Sequence, residues 1–91
     1  MKYEIKPSNQ FKKDLKLAAK RGYNIALLRD VINMLADGKT LEAKYHDHPL
    51  TGDFGAFREC HITPDWLLVY QIDGNALILY LTRTGTHSDL F

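Results

Sequence analysis

The chain's four histidines, His46, His48, His61 and His87, are the residues best suited to moving protons, because imidazole alone titrates near neutrality, at about 6.5. Two imidazoles can divide the work of acceptor and donor. Arg83 precedes His87 by four residues and carries a permanent forked cation, suited to a phosphate and to the charge developing on it during displacement. With Asp65 four residues after His61, these groups make a kit for cleaving RNA without a metal. The 2′-hydroxyl loses its proton and attacks the neighbouring phosphorus, and the 5′-oxygen leaves with a proton. DNA lacks that hydroxyl and would be spared. His48, held before Pro49, is a further acid/base candidate. Trp66, Phe91 and Tyr45 offer faces on which a base can stack.

Groups so dispersed along the chain must be gathered by a sheet. Tyr3 and Ile5 alternate with Lys2, Glu4 and Lys6, which reads as a half-buried strand ending at Pro7. Ser8 or Asn9 then caps a helix carrying Phe11, Leu15 and Ala18 on one side and ending before Gly22. Asn24 opens a second helix with Ile25, Leu28, Val31, Ile32 and Leu35 inward, closed by Asp37-Gly38. Residues 39–55 read as a loop of ordered turns. Three strands follow over 57–62, 66–72 and 76–83, split by Thr63-Pro64-Asp65 and Asp73-Gly74-Asn75. The tail beyond Arg83 reads as a short appendage.

The expected architecture is α+β, in the order βααβββ, with a helical hairpin on an antiparallel-rich, four-stranded sheet. A three-residue Asp73-Gly74-Asn75 loop sets Ile72 opposite Ala76 and Asp65 opposite Arg83. If residues 62–65 form the preceding loop, His61 faces Trp66. Histidine, aspartate, arginine and histidine then meet at one sheet edge.

Composition fits this reading and narrows it. At 91 residues, 45% apolar and 25% charged, residues 1–91 make a single small globular domain rather than a disordered tail. Apolar runs of four or five residues, as in Trp66 to Tyr70, fall short of the roughly 20 that cross a bilayer. The first residues show no export signal, so the expected address is cytoplasmic. The lone Cys60 excludes an internal disulfide and a thiolate zinc knuckle. Twelve basic against eleven acidic residues give a net charge of +1, so contact with nucleic acid rests on a local patch. Lys12, Lys13, Lys16, Lys20 and Arg21 concentrate on the first helix.

His48-Pro49-Leu50, Arg58, His61, Pro64-Asp65-Trp66 and the closing Arg83-Thr84-Gly85-Thr86-His87 with Leu90-Phe91 resemble the YafQ branch of the RelE-type bacterial toxins. The likeness spans nearly the whole chain in order. It implies a ribosome-dependent messenger RNA endonuclease, held inactive by a cognate antitoxin protein and needing no metal or other cofactor. It also implies His48, His61, Asp65 and His87 as acid/base groups, Arg83 as the phosphate-stabilising residue, and Phe91, with Trp66 and Arg58, as substrate contacts. On that resemblance His87 protonates the leaving oxygen, Asp65 or His48 takes the 2′-proton, and His61 orients or stabilises charge.

Each residue also has a plainer structural explanation. His61 can be satisfied by backbone partners, His48 and Asp65 can be turn residues, and Arg83 an ion-pair partner. Trp66 sits among core residues, and the helix lysines form a solvated face. His46-x-His48 alone is a weak zinc signal. The non-enzymatic alternative is a gyrase-poisoning toxin of the same fold, which lacks the histidine set. Both faces of the strand from Trp66 are apolar while helices cover one, so an antitoxin segment is expected over exposed apolar surface or at the sheet end.

Overall fold

A computed structural model describes residues 1–91. Strand β1 (Glu4–Pro7) leads into helices α1 (Asn9–Lys20) and α2 (Ile25–Ala36), and strands β3 (Arg58–Thr63), β4 (Trp66–Asp73) and β5 (Ile78–Gly85) form the meander. Between α2 and β3 lie two single 3-10 turns, Ala43–Tyr45 and Gly52–Phe54, and a two-residue strand, β2 (His48–Pro49). The tail is a helical turn, α3 (His87–Leu90).

The caps follow the sequence. Ser8 Oγ accepts the Phe11 N–H at 2.9 Å and donates to the Thr82 carbonyl at 2.8 Å, so one hydroxyl starts α1 and ties it to β5. Asn24 Oδ1 accepts the Ala26 N–H at the start of α2. Gly22, at φ +80°, turns the chain between the helices, a conformation in which a Cβ is strained. Phe11, Ala18, Leu28, Val31 and Leu35 then pack on Cys60, Trp66, Leu68, Tyr70, Leu79 and Leu81 as one core, each large side chain contributing roughly 1.5–3 kcal/mol.

The sheet order is β1-β5-β4-β3-β2, with β1 parallel to β5 and the other pairs antiparallel. Five strands replace the expected four, because Leu50 N–H bonds the Phe57 carbonyl and lays His48-Pro49 alongside Arg58-Glu59. Pro49 is tolerated because β2 is an edge.

The β4–β5 register also differs from expectation. The loop has four residues, 74–77: Asp73 Oδ1 accepts the Asn75 and Ala76 N–H groups, Leu77 takes φ +57°, and pairing begins at Asp73 with Ile78. A bulge at Thr82 shifts the register again, so Arg83 lies opposite Val69, not Asp65. Thr63, not His61, faces Trp66, and His61 faces Leu67.

Candidate active site

Directly paired strand residues share a face of the sheet. His48 pairs with Glu59, Glu59 with Val69 and Val69 with Arg83, making one row across β2, β3, β4 and β5. The next row is His61, Leu67 and Gly85, and His87 follows two residues later. This face lies opposite the one that carries Leu68, Tyr70 and the helices. Leu67 and Val69 on it are buried, beneath the long side chains of their neighbours and beside α3, which packs on β5. The exposed apolar sheet face expected for an antitoxin is therefore absent, since the chain covers these two residues itself.

Glu59 is the centre of the cluster and only 4% exposed. Its Oε2 lies 3.8 Å from His48 Nε2, and its Oε1 lies 3.8 Å from both His61 Nε2 and His87 Nε2. His46 joins them, its ring centre 5.6 Å from that of His61, and His61 is 6.2 Å from His87. All four histidines converge. His46 takes φ +48° at the end of the Ala43–Tyr45 turn, an uncommon setting for a side chain with a Cβ.

Hydrogen bonds at Nδ1 fix two of the rings. His48 Nδ1 lies 2.7 Å from the His46 carbonyl and His61 Nδ1 lies 3.3 Å from the Pro64 carbonyl. A carbonyl only accepts, so each Nδ1 carries the proton and each neutral ring presents a free Nε2 lone pair toward Glu59. His87 makes no such bond and its side chain is 65% exposed. Two imidazoles are set as acceptors and a third is free to act as donor.

The tail is built to hold His87. Thr86 and Asp89 cap α3 reciprocally, and Arg21, at the C-cap of α1, binds Asp89 at 2.7 and 3.2 Å. Hydrogen bonds from Arg21 and from Thr86 hold the Asp89 carboxyl well below its ordinary range. The tail is thus a pinned helical turn, more than the short appendage expected.

Arg83 is held just as firmly. Strand β1 pairs only with residues 78–81, which leaves the end of β5 without a strand on that side. The buried Asp14 of α1 fills the place, accepting the Thr84 N–H at 3.2 Å and Arg83 Nε and Nη2 at 2.8 and 3.2 Å. Burial pushes the Asp14 carboxyl up, but hydrogen bonds from Arg83, Gln10 and Thr84 outweigh it and hold the group below its ordinary value. Arg83 Nη1 stays outside this pairing.

Three expected site residues stand elsewhere. Asp65 is exposed on the Pro64-Asp65 turn, borders a small pocket with Tyr23 and Trp66, and makes no side-chain hydrogen bond or ion pair with a histidine or Arg83. Trp66 is 3% exposed, stacks on Tyr23 at 5.0 Å and donates its indole N–H to Thr84 Oγ1; strand alternation turns it to the core, so it offers no face to a base. Arg58 pairs across from Tyr70, on the helix side. Its guanidinium binds Asp47 at 3.2 and 3.4 Å, and Tyr70 donates its hydroxyl to the same carboxylate. That triad fastens the segment carrying His46 and His48 on either side of Asp47. Phe91 lies where a contact is useful, exposed and 6.1 Å from the His87 ring.

Glu59 and Asp14 carried no role in the sequence reading, and His46 entered it only as one of the four imidazoles and in a weak zinc signal. Glu59 stands two before His61 and His46 two before His48, so period-two alternation was the available signal for both. For Asp14, a lone acid at helical spacing between Phe11 and Ala18 was the sign. The histidine cluster opens on a groove of about 860 Å³ lined by Lys44, Tyr45, His46, His48, His61 and parts of α2.

This arrangement has close relatives. Residues 3–91 match the family model described as the bacterial toxin of a type II toxin–antitoxin system, YafQ. The chain belongs to the YafQ family. It is similar to the mRNA interferase toxin YafQ of Escherichia coli K12, with 39% identity covering 97% of this chain and 95% of that one. Among solved structures, a metal-bound toxin from Helicobacter pylori superposes with TM-score 0.92 at 48% identity, covering 98% and 99% of the two chains. YafQ in the E. coli DinJ–YafQ complex gives 0.89 at 38%, covering 100% and 99%. The fold is RelE-like, and the family makes the chain a toxin and an endoribonuclease.

Proposed function

We propose that this toxin cuts messenger RNA on the ribosome by metal-free attack of the 2′-hydroxyl on the adjacent phosphorus, at the face centred on Glu59. His48 Nε2, its lone pair fixed by the Nδ1 bond to the His46 carbonyl, takes the 2′-proton. His87, free at both ring nitrogens, delivers a proton to the leaving 5′-oxygen. Glu59 stabilises the imidazolium that forms, as a buried carboxylate does behind a catalytic imidazole. His61 holds a second proton-accepting nitrogen beside the same carboxylate. Arg83, steadied by Asp14, turns its remaining nitrogen to the phosphate. The carboxylate in this scheme is Glu59, and Asp65 has no part.

One observation carries the reading: three imidazole nitrogens stand 3.8 Å from one buried carboxylate, and two of those imidazoles, His48 and His61, line an open groove. The lysines of α1 supply the ribosome-facing charge. The partner is a cognate antitoxin protein, as DinJ is for E. coli YafQ, and the site of action is the cytoplasm, where messages are translated. Mapping 5′ ends of a message in a translating extract tests it. Cuts should appear with the wild type on ribosome-bound message and vanish with His87→Ala. Equal toxicity of that variant would instead indicate poisoning of a protein target.

The metal-bound relative favours a second, inhibitory reading of the same face. Imidazole nitrogens are good ligands for zinc or copper, although no three donors here are placed to hold an ion as they stand. A metal drawn in would occupy the lone pairs that accept protons. Added zinc should therefore slow cleavage, and a chelator should restore it.

A further inference from the structure

The rings around the cluster form an unbroken line. From His46 to His61, His87, Phe91 and Phe54, successive centres are 5.6, 6.2, 6.1 and 5.9 Å apart. The first three are imidazoles of the cluster, His87 among them the proposed proton donor, and the last two are phenylalanines left outside the core, 57% exposed at Phe91 and 52% at Phe54. Phe91 is expected at the substrate from the family resemblance; Phe54 carries no such expectation.

The two phenylalanines are anchored separately. Phe54 ends the turn that starts at Gly52, where φ is +66°, and its amide and carbonyl are both bonded, to Thr51 and Phe57. The Phe91 amide donates to the His87 carbonyl at the end of the pinned tail. Their rings meet edge to face at 90°, so they form a right-angled corner instead of closing on each other. A planar base laid on one ring presents its edge to the other, a contact aromatic rings favour.

The corner adjoins the imidazole row at His87, whose ring centre is 6.1 Å from that of Phe91. The other exposed large apolar side chains, Met1, Leu17, Leu27 and Leu77, lie ahead of β1, on α1, on α2 and in the β4–β5 loop, so no broad apolar face extends from it as a protein partner would need. We propose that Phe54, with Phe91, seats the nucleobase next to the scissile phosphate, making Phe54 a substrate-binding residue. This rests on the RNA-cleaving reading above.

The test uses ribosomes loaded with a message carrying 2-aminopurine on each side of the mapped cut in turn, blocked there by a 2′-O-methyl group so that binding is read without cleavage. The wild type should quench the fluorescence on one side. Phe54→Ala and Phe54→Leu should abolish that quench, and Phe54→Trp should keep it. On cleavable message, Phe54→Ala and Phe54→Leu should raise the half-saturating toxin concentration about five- to a hundredfold, the range for losing one base stack, with unchanged Tm. Wild-type quenching and cleavage by both variants would overturn the proposal, as would loss of antitoxin binding alone. Undiminished cleavage by His87→Ala would refute the nuclease site itself, a separate outcome.

Discussion

Arg58 and Glu59 are neighbours in sequence and belong to opposite designs. On the helix side, the Asp47 carboxylate is closed by Arg58 at 3.2 and 3.4 Å and by the Tyr70 hydroxyl at 2.5 Å. The bond to Asp47 raises the Arg58 guanidinium, and burial followed by the same carboxylate raises the Tyr70 phenol, so no proton leaves that triad at any physiological pH. On the other side, Glu59 faces three imidazoles, all at 3.8 Å, beyond hydrogen-bond reach. Permanent donors at short range make a strut. Titratable partners held slightly apart keep their nitrogens available for a substrate.

The largest expected effects come from breaking the open side. His48→Ala or His87→Ala should lower single-turnover cleavage of ribosome-bound message by roughly 10²–10⁴-fold, the usual worth of a positioned acid or base. Because both rings are substantially exposed, Tm should stay within a degree or so of wild type. A parallel fall in Tm and in cleavage would mean that the histidines are struts too. Glu59→Gln keeps shape and removes charge. Cleavage should fall about a hundredfold, as for loss of one preorganised electrostatic group, and the pH–rate profile should move with it. An unaltered profile would leave Glu59 as packing only.

Tyr70→Phe sharpens the contrast from the closed side. Removing a hydroxyl that donates to a half-buried carboxylate should cost about 1.5–3 kcal/mol, readable as a Tm lower by roughly 4–8 °C for each kcal/mol in a domain of this size. Cleavage at a temperature where the variant is folded should change far less than in His48→Ala, since Arg58 still holds Asp47. If Tyr70→Phe lost as much activity as His48→Ala without losing stability, the division between strut and site would fail.

Much of this plan was legible because it follows from periodicity. The helices over 9–20 and 25–36 showed in the spacing of Phe11, Leu15 and Ala18 and of Leu28, Val31 and Leu35, and their caps in Ser8 and Asn24. The imidazoles of the proposed site showed by type. Register was harder to read, since it depends on loop geometry that residue types do not fix: Leu77 in a left-handed turn and the bulge at Thr82 moved Arg83 from Asp65 to Val69. With the wrong register the carboxylate was sought at Asp65, although alternation already put Glu59 on the face of His61. Tertiary pairings such as Asp14 with Arg83 and Arg21 with Asp89 link residues 69 and 68 positions apart, and no local pattern encodes them.

Asp14 offers the smallest and most selective test, because it is a closed carboxylate that serves the open side by fixing Arg83. Its folded carboxyl holds a proton more weakly than the ordinary value of 3.8, so the unfolded chain takes up that proton first as pH falls. The stability it contributes is therefore full above that value and is lost as pH drops through the lower folded one. At neutral pH, Asp14→Asn should cost about 1 kcal/mol, the net worth of a hydrogen bond, and the difference from wild type should shrink below pH 4 in acid-unfolding curves. Cleavage by this variant should weaken through the phosphate contact, and in the double variant Asp14→Asn should not deepen the larger loss of Arg83→Ala. Fully additive losses in the double variant would separate Asp14 from Arg83 and return it to the class of simple struts.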